Sequence, residues 1–242
     1  MTTKTEQARL FFEAPERYLD RREFDIRVRA ETVQEFTRGR SFESILDIGC
    51  GNGSISLPLL TAQRRLTLLD ISSNMLATAR GKIPPELIDN VELVNEGFMT
   101  APLAPGSYDL VLCIGVLAHV DRPADVIARI TQMLKPEGIA ILEFTDSYHF
   151  MGRAVVLYHR LLNRFRPATY SLNHIHAREI VETCRACDLQ ASAFYRYCLP
   201  PPGSHRLFDQ GTLYRLTRMV FGTPDRNRSK WLGNEFIYLL ER

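Results

Sequence analysis

The stretch Ile45-Leu46-Asp47-Ile48 runs directly into Gly49-Cys50-Gly51-Asn52-Gly53, an apolar run ended by three glycines at alternate positions. No other feature of the chain restricts its fold as much. Glycines so spaced let the backbone turn tightly at the end of a strand and bring a ligand close to the peptide groups. Downstream, short apolar runs at 66–69, 91–94, 110–114 and 139–144 alternate with helical stretches. Runs that are apolar at nearly every position suit strands buried on both faces. The pattern predicts an α/β fold, a Rossmann-like doubly wound parallel sheet.

Around this core, apolar spacing predicts helices over 6–19 and 26–36, the second stopped by Gly39. Asp121-Arg122-Pro123 reads as an N-cap followed by proline in the first turn, and Lys135-Pro136-Glu137-Gly138 as a turn. Later come helices over 150–165 and 176–187, a strand over 189–197, a break at Pro200-Pro201-Pro202-Gly203, a further helix and a strand over 236–240. The expected organisation is one domain in three stretches: N-terminal cap helices over 1–40, a ligand-binding core over 41–146, and a lid helix, acceptor-site elements and the last strands over 147–242. The 242 residues, 45% hydrophobic and 24% charged, suffice for a single large core.

The longest apolar run, 110–118, is far shorter than the roughly 20 residues of a spanning helix. The charged start carries no secretory pattern, and five cysteines are an odd number for a disulfide framework, so a cytoplasmic address is expected. A net charge of +2 calls for no nucleic-acid partner. The charge is unevenly placed, however: residues 1–146 hold 16 Lys+Arg against 21 Asp+Glu, and residues 147–242 hold 14 against 7.

Ligands of such sheets bind outside the carboxyl ends of the strands, near the switch point. Asp70, at the next strand end, lies 21 residues past Gly49, the spacing of a carboxylate that holds a ribose diol. A nicotinamide or flavin dinucleotide is the first alternative. Against it, Ser54 stands where the dinucleotide fingerprint has Gly or Ala, Asp47 would oppose a pyrophosphate, and no Lys or Arg lies between Ser41 and Gln63. A cationic ligand without phosphates removes the conflict. S-adenosylmethionine combines an ammonium and a sulfonium, which suit Asp47, with a ribose, which suits Asp70.

At this point the chain resembles the class I S-adenosylmethionine-dependent methyltransferases of small-molecule type, over about 42–146. The ordered motifs are 45–53, Leu69-Asp70-Ile71-Ser72-Ser73-Asn74-Met75-Leu76, Tyr108-Asp109-Leu110-Val111, Leu117-Ala118-His119-Val120 and Leu134-Lys135-Pro136-Glu137-Gly138. The resemblance implies a seven-stranded sheet with its last strand antiparallel. It also implies a cofactor site of Asp47, Gly49, Cys50, Gly51, Asn52, Gly53 and Asp70, with Ile71 and Met75 flanking the adenine and Cys113 lining the methionine side. Where family members often carry an acidic pair after strand three, this chain has Asn95-Glu96-Gly97-Phe98, with Gly97 at the acidic position, which leaves the adenine edge to the Phe98 N–H and ring or to Glu96 as an imperfect substitute.

Methyl transfer from a sulfonium needs chiefly an in-line approach in a dry site, and a general base only for some acceptors. His119, after strand four, is the leading candidate for such a base, with His149, Tyr148 and Tyr18 behind it. Tyr170, His174 and His176 are candidates for the acceptor pocket. Cys184-Arg185-Ala186-Cys187 lacks a matching second pair, so no metal is expected and the cysteines are read as core. Cys113-Ile114-Gly115-Val116 is unlike the Asn-Pro-Pro-Tyr type of sequence of many nucleobase or glutamine methylating enzymes, which favours a small-molecule acceptor. A dinucleotide oxidoreductase and a non-catalytic S-adenosyl-ligand-binding module are the rival functions. Within 150–165, Phe150, Met151, Ala154, Val155, Tyr158, Leu161, Leu162 and Phe165 share one helical face, and Arg153, Arg160 and Arg164 the other. That helix reads as a lid over the acceptor, as an interface or core helix, or as a basic helix on a membrane surface serving a lipid or quinone acceptor. Oligomeric state is left open.

Overall fold

The computed structural model describes residues 22–163, 173–201, 204 and 207–242. Seven strands, Ser44–Ile48 (β1), Arg65–Leu69 (β2), Val91–Val94 (β3), Tyr108–Cys113 (β4), Leu134–Thr145 (β5), Gln190–Tyr197 (β6) and Glu235–Glu241 (β7), form one sheet in the order β3-β2-β1-β4-β5-β7-β6. The first five run parallel, while β7 is antiparallel to both β5 and β6. This is the doubly wound seven-stranded sheet expected. The order reverses between β1 and β4, whose last residues Ile48 and Cys113 are register partners, so their carboxyl ends flank the switch point.

Helices Glu23–Thr37 (α1), Ser73–Arg80 (α2), Pro123–Met133 (α3), Phe150–Asn163 (α4), Ala177–Ala186 (α5) and Gln210–Phe221 (α6) surround the sheet. Strand side chains alternate between its faces. Ile45, Leu110, Leu112, Ile139 and Ile141 meet Val28, Val33 and Phe36 of α1 on one face. Leu46, Ile48, Val111, Cys113 and Leu142 meet Ile127 and Ile130 of α3 and Ile180 and Cys184 of α5 on the other.

Four local expectations change. The β1–β2 connection holds only a 3-10 turn, Leu57–Leu59, with proline in its first turn, because the glycines and Pro58 interrupt a longer helix. The β3–β4 connection carries no helix, in keeping with Gly97, Pro102, Pro105 and Gly106. Residues 135–138 lie inside β5 instead of forming a turn, with a register shift opposite Tyr108 and Leu110. The close approach explains Gly138, since a Cβ there would lie 2.9 Å from the Tyr108 carbonyl oxygen. Asp121 is not the N-cap of α3; Arg122 holds that position, without a side-chain cap bond. The helix over 6–19, with Tyr18, lies outside the described residues, as do Arg164, Phe165, Tyr170 and the side chains of Arg160 and Leu162.

Helix α4 is not a core helix along its length. Phe150, Tyr158 and Leu161 of its apolar face are exposed, as is Leu157. Its first turn is docked: Gly152 packs on the end of β5, and a Cβ there would fall 2.2 Å from the Asp146 carbonyl oxygen. Trp231 stacks on Phe150 at 6.0 Å and is the single tryptophan of the chain. Gly152→Ala is therefore expected to cost about 1–3 kcal/mol in urea denaturation, the range for overpacking, and to shift the native Trp231 emission as α4 moves off β5. Unchanged stability and emission would show that this contact does not hold α4.

Candidate functional site

The glycine turn is built as the sequence requires. Gly49, Gly51 and Gly53 have φ of +64°, +53° and +71°, a region that other L-residues enter at a cost. At Gly49 contact as well as conformation excludes a side chain, because a Cβ would lie 2.5 Å from Val116 Cγ2 in the turn after β4. Above Gly51 the space is open, with nothing within 4 Å of a Cβ position.

Asp70 locks this turn to the neighbouring strand ends. Its Oδ2 accepts from the Gly51 N–H at 2.8 Å and its Oδ1 from the Ser72 N–H at 2.8 Å. Asn95 Nδ2 donates to the Asp70 carbonyl at 3.0 Å, which draws the end of β3 to the same place. The Ile71 N–H also bonds to this carboxylate, and since a carboxylate offers about four lone-pair sites, capacity remains for a ligand. Burial raises the Asp70 pKa, offset in part by these N–H groups.

Asp47 projects from β1 into the α1 face and is 2% exposed. Its Oδ2 accepts from Ser56 Oγ at 2.5 Å. Burial pushes its pKa up to about 7, the Ser56 bond opposes that, and the charge of Asp70 adds to it. A cation brought alongside would favour the ionised form. Asn52 is buried and accepts from the Ser54 N–H at 3.2 Å. The turn is not as free of cations as its local sequence suggests, since Lys82, just beyond α2, donates to Ser54 Oγ at 3.0 Å.

The remaining candidates are spread around this centre. Ile71 is half-buried beside Asp70, and Met75 is buried in α2, whose N-cap Ser72 accepts from the Met75 N–H at 3.2 Å. Cys50 and Cys113 are both buried, on opposite faces of the sheet, and burial raises both thiols. The Gly97 carbonyl accepts from Thr100 and Ala101. The Phe98 ring is packed in the core, with the Arg129 guanidinium 5.3 Å from its centroid.

His119 ends a 3-10 turn, Leu117–His119, after β4. Burial, then the charges of Arg22 and Arg29, lower its pKa to about 4. The imidazole is neutral near pH 7 and a weak base, better suited to orient a partner than to take its proton. His149 Nε2 is engaged at 2.9 Å by the Trp231 carbonyl. Tyr148 stacks on His176 at 5.3 Å, and His176 Nδ1 caps α5 by accepting from the Arg178 N–H, while His174 is exposed. Cys184 is core and Cys187 is the C-cap of α5.

Sequence reasoning missed a buried polar network beside the turn after β4. Arg29 of α1 donates from Nε to Glu143 Oε1 at 2.7 Å and pairs through Nη1 with Asp25 Oδ2 at 3.2 Å. The Tyr197 hydroxyl lies 2.7 Å from Asp25 Oδ1 and 3.0 Å from Glu143 Oε1. Glu235 accepts from Thr145 Oγ1 at 2.7 Å, and burial, then the charge of Glu143, push its pKa up to about 7. The available signal was Glu143 itself, a charge inside the otherwise apolar run of β5.

Residues 46–142 match the family described as a methyltransferase domain. A ubiquinone biosynthesis O-methyltransferase from Bordetella bronchiseptica is 31% identical over 113 residues, 44% of this chain and 44% of that protein. The chain thus aligns with less than half the length of the first curated relatives it matches. Among solved structures, an S-adenosylmethionine-dependent methyltransferase from Thermotoga maritima superposes with a TM-score of 0.67 at 16% identity, covering 96% of this chain and 98% of that one. A [4+2]-cyclase shares the fold at a TM-score of 0.65 and 15% identity, covering 100% of this chain and 97% of that one, so the fold alone does not name the reaction.

The buried Asp47 carboxyl has a consequence for stability. Its folded pKa of about 7 lies above the ordinary value of about 3.9, so between these the folded chain holds a proton that the unfolded chain has lost. Stability from this group falls as pH rises from about 4 to about 7. His119 acts in the opposite sense, because its folded pKa is lowered to about 4. Urea denaturation at pH 5 and pH 7.5 should therefore show Asp47→Asn gaining about 1–3 kcal/mol relative to the parent on going to the higher pH. A pH dependence identical in the two proteins would contradict the buried, protonated Asp47.

Proposed function

We propose that this chain, which carries a class I S-adenosylmethionine-dependent methyltransferase domain over residues 46–142, transfers a methyl group to a small organic acceptor. The observation that carries the reading is the Asp70-anchored glycine turn, which leaves spare carboxylate lone pairs beside open space over Gly51. Those features fit an adenosyl ligand. Asp70 takes the ribose diol, Ile71 and Met75 border the adenine with the 97–98 backbone, and Asp47 faces the cationic methionine end near Gly49, Cys50, Asn52, Gly53 and Cys113. When bound, S-adenosylmethionine supplies an activated methyl group. The protein's own residues then have to orient the acceptor, exclude water and dispose of a proton where the acceptor carries one. In this reading His119 positions, 1–40 and 147–242 cap the core as parts of one domain, and the five free thiols fit a cytoplasmic address.

A second reading, a lipid or quinone acceptor met at a membrane surface, draws support from the exposed Phe150, Leu157 and Leu161 of α4 and from the similarity to ubiquinone biosynthesis O-methyltransferases. Among the described residues no helix is long and apolar enough to cross a membrane, so such contact would be peripheral. Salt-sensitive sedimentation with anionic vesicles, lost on Leu157→Asp/Leu161→Asp, would favour it over an acceptor met in solution.

Calorimetry with S-adenosylmethionine, S-adenosylhomocysteine and NADH tests the main reading. Both S-adenosyl compounds should bind, and Asp70→Ala should weaken them by about 1–3 kcal/mol, the scale of a lost charged hydrogen bond. An acceptor panel followed by mass spectrometry should show the gain of one methyl. Binding of NADH alone would overturn the reading, and S-adenosyl binding without turnover on any acceptor would leave a non-catalytic binding module.

A further inference from the structure

The last connection of the chain, between α6 and β7, follows one edge of the sheet. β6 is that edge, since it pairs with β7 alone. Asn227 pins the connection to it: Oδ1 accepts from the Arg196 N–H at 2.9 Å, while Nδ2 donates to the Arg196 carbonyl at 2.9 Å and to the Phe221 carbonyl at 3.0 Å. The Arg228 N–H adds a bond to the Phe221 carbonyl at 2.8 Å. Gly222, at φ +71°, admits the Arg226 carbonyl where a Cβ would collide with it, and Ser229 is held at φ +43°. Side chains on a loop fixed in this way are pre-organised for a ligand. Beside it opens a cleft of about 480 Å³, within the range of small-molecule sites, lined in part by Phe194, Asp225, Arg226, Arg228 and Lys230. The Asp225 carboxylate is engaged by Thr223 Oγ1 and lies 3.9 Å from Arg226 Nε. Among the described residues Arg228 and Lys230 have no carboxylate partner. Three cations thus face one carboxylate. Phe194 is 39% exposed, with Lys230 Nζ 5.4 Å from its ring centroid.

We propose that this cleft is a second binding site, and that its ligand is a phosphate monoester carried by a planar ring, the chemistry of a nucleoside monophosphate. The positive charge in excess of Asp225 matches a phosphate monoester, which bears about −1.5 to −2 at pH 7. A carboxylate ligand would neutralise only part of it. Arg226 and Arg228 offer planar forks that suit phosphate oxygens, and Lys230 adds a point charge beside them. The exposed part of the Phe194 ring serves the planar group by stacking. A long polyanion suits the cleft less well, because the cations converge on one cavity and Asp225, standing among them, repels further negative charge. In the sheet, β5 and β7 lie between β6 and β4, so the cleft is separate from the switch point and from the adenosyl site proposed there.

Calorimetry with uridine monophosphate, uridine and inorganic phosphate tests the assignment. Uridine monophosphate should bind at least tenfold more tightly than uridine or phosphate, with the same affinity in the presence and absence of excess S-adenosylhomocysteine. Arg228→Glu and Lys230→Glu, both at exposed positions, should each weaken it at least tenfold. Phe194→Ser should remove its advantage over inorganic phosphate. No binding of uridine monophosphate to the parent, or binding unchanged in both charge-reversed variants, would overturn the proposal. Equal affinity for uridine monophosphate and phosphate would do the same, because the ring would then go unread. Competition between uridine monophosphate and S-adenosylhomocysteine would overturn the separate site. Preference for a uridine oligonucleotide or for anionic vesicles over the monophosphate, lost in the same variants, would assign the cleft to a macromolecular partner instead.

Discussion

The bond from the Gly51 N–H to Asp70 Oδ2 is the constraint on which the site depends. It joins the turn after β1 to the end of β2, and the Asn95 bond to the Asp70 carbonyl adds the end of β3. The turn reaches Asp70 because three glycines hold positive φ, and it reaches the turn after β4 because Gly49 has no Cβ to strike Val116. The ends of β1, β2 and β3 are thereby drawn together at the switch point, with Asp70 bonded to the turn and open space over Gly51. Its chemistry is that of a carboxylate anchored by backbone N–H groups and a second carboxyl whose pKa burial raises to about 7.

Beside the turn after β4 a different interaction fixes the geometry. The fork of Arg29 ties α1 to β5 through Glu143, and Tyr197 ties β6 to both. Removing one partner of a buried ion pair typically costs about 3–5 kcal/mol because it strands an uncompensated charge, so the network depends on each of its members.

Much of this was legible in the sequence. The five parallel strands and the glycine turn were readable because strands buried on both faces leave continuous apolar runs, and left-handed turns leave glycines. The positions of Asp47 and Asp70 followed from those boundaries. The absence of an α-helix from the β1–β2 and β3–β4 connections was less legible, since their glycines and prolines read equally well as helix ends. Residues 135–138 read as a turn, but they continue β5 because Gly138 admits the Tyr108 carbonyl. Lys82 next to Ser54 and the Arg29–Glu143 pair were invisible to local reading, because each joins residues 28 or more positions apart. Only Glu143, the lone charge in the apolar run 139–144, hinted at a buried partner.

The central claim is that the open space over Gly51 holds the adenosyl ligand through Asp70. A crystal structure of the chain with S-adenosylhomocysteine tests it most directly. The account predicts both ribose hydroxyls within hydrogen-bond distance of the Asp70 carboxylate, with the adenine against Ile71 and the methionine end toward Asp47 and the turn after β4. A ligand seated elsewhere on the chain, or one that lies over Gly51 with its ribose turned away from Asp70, would contradict it.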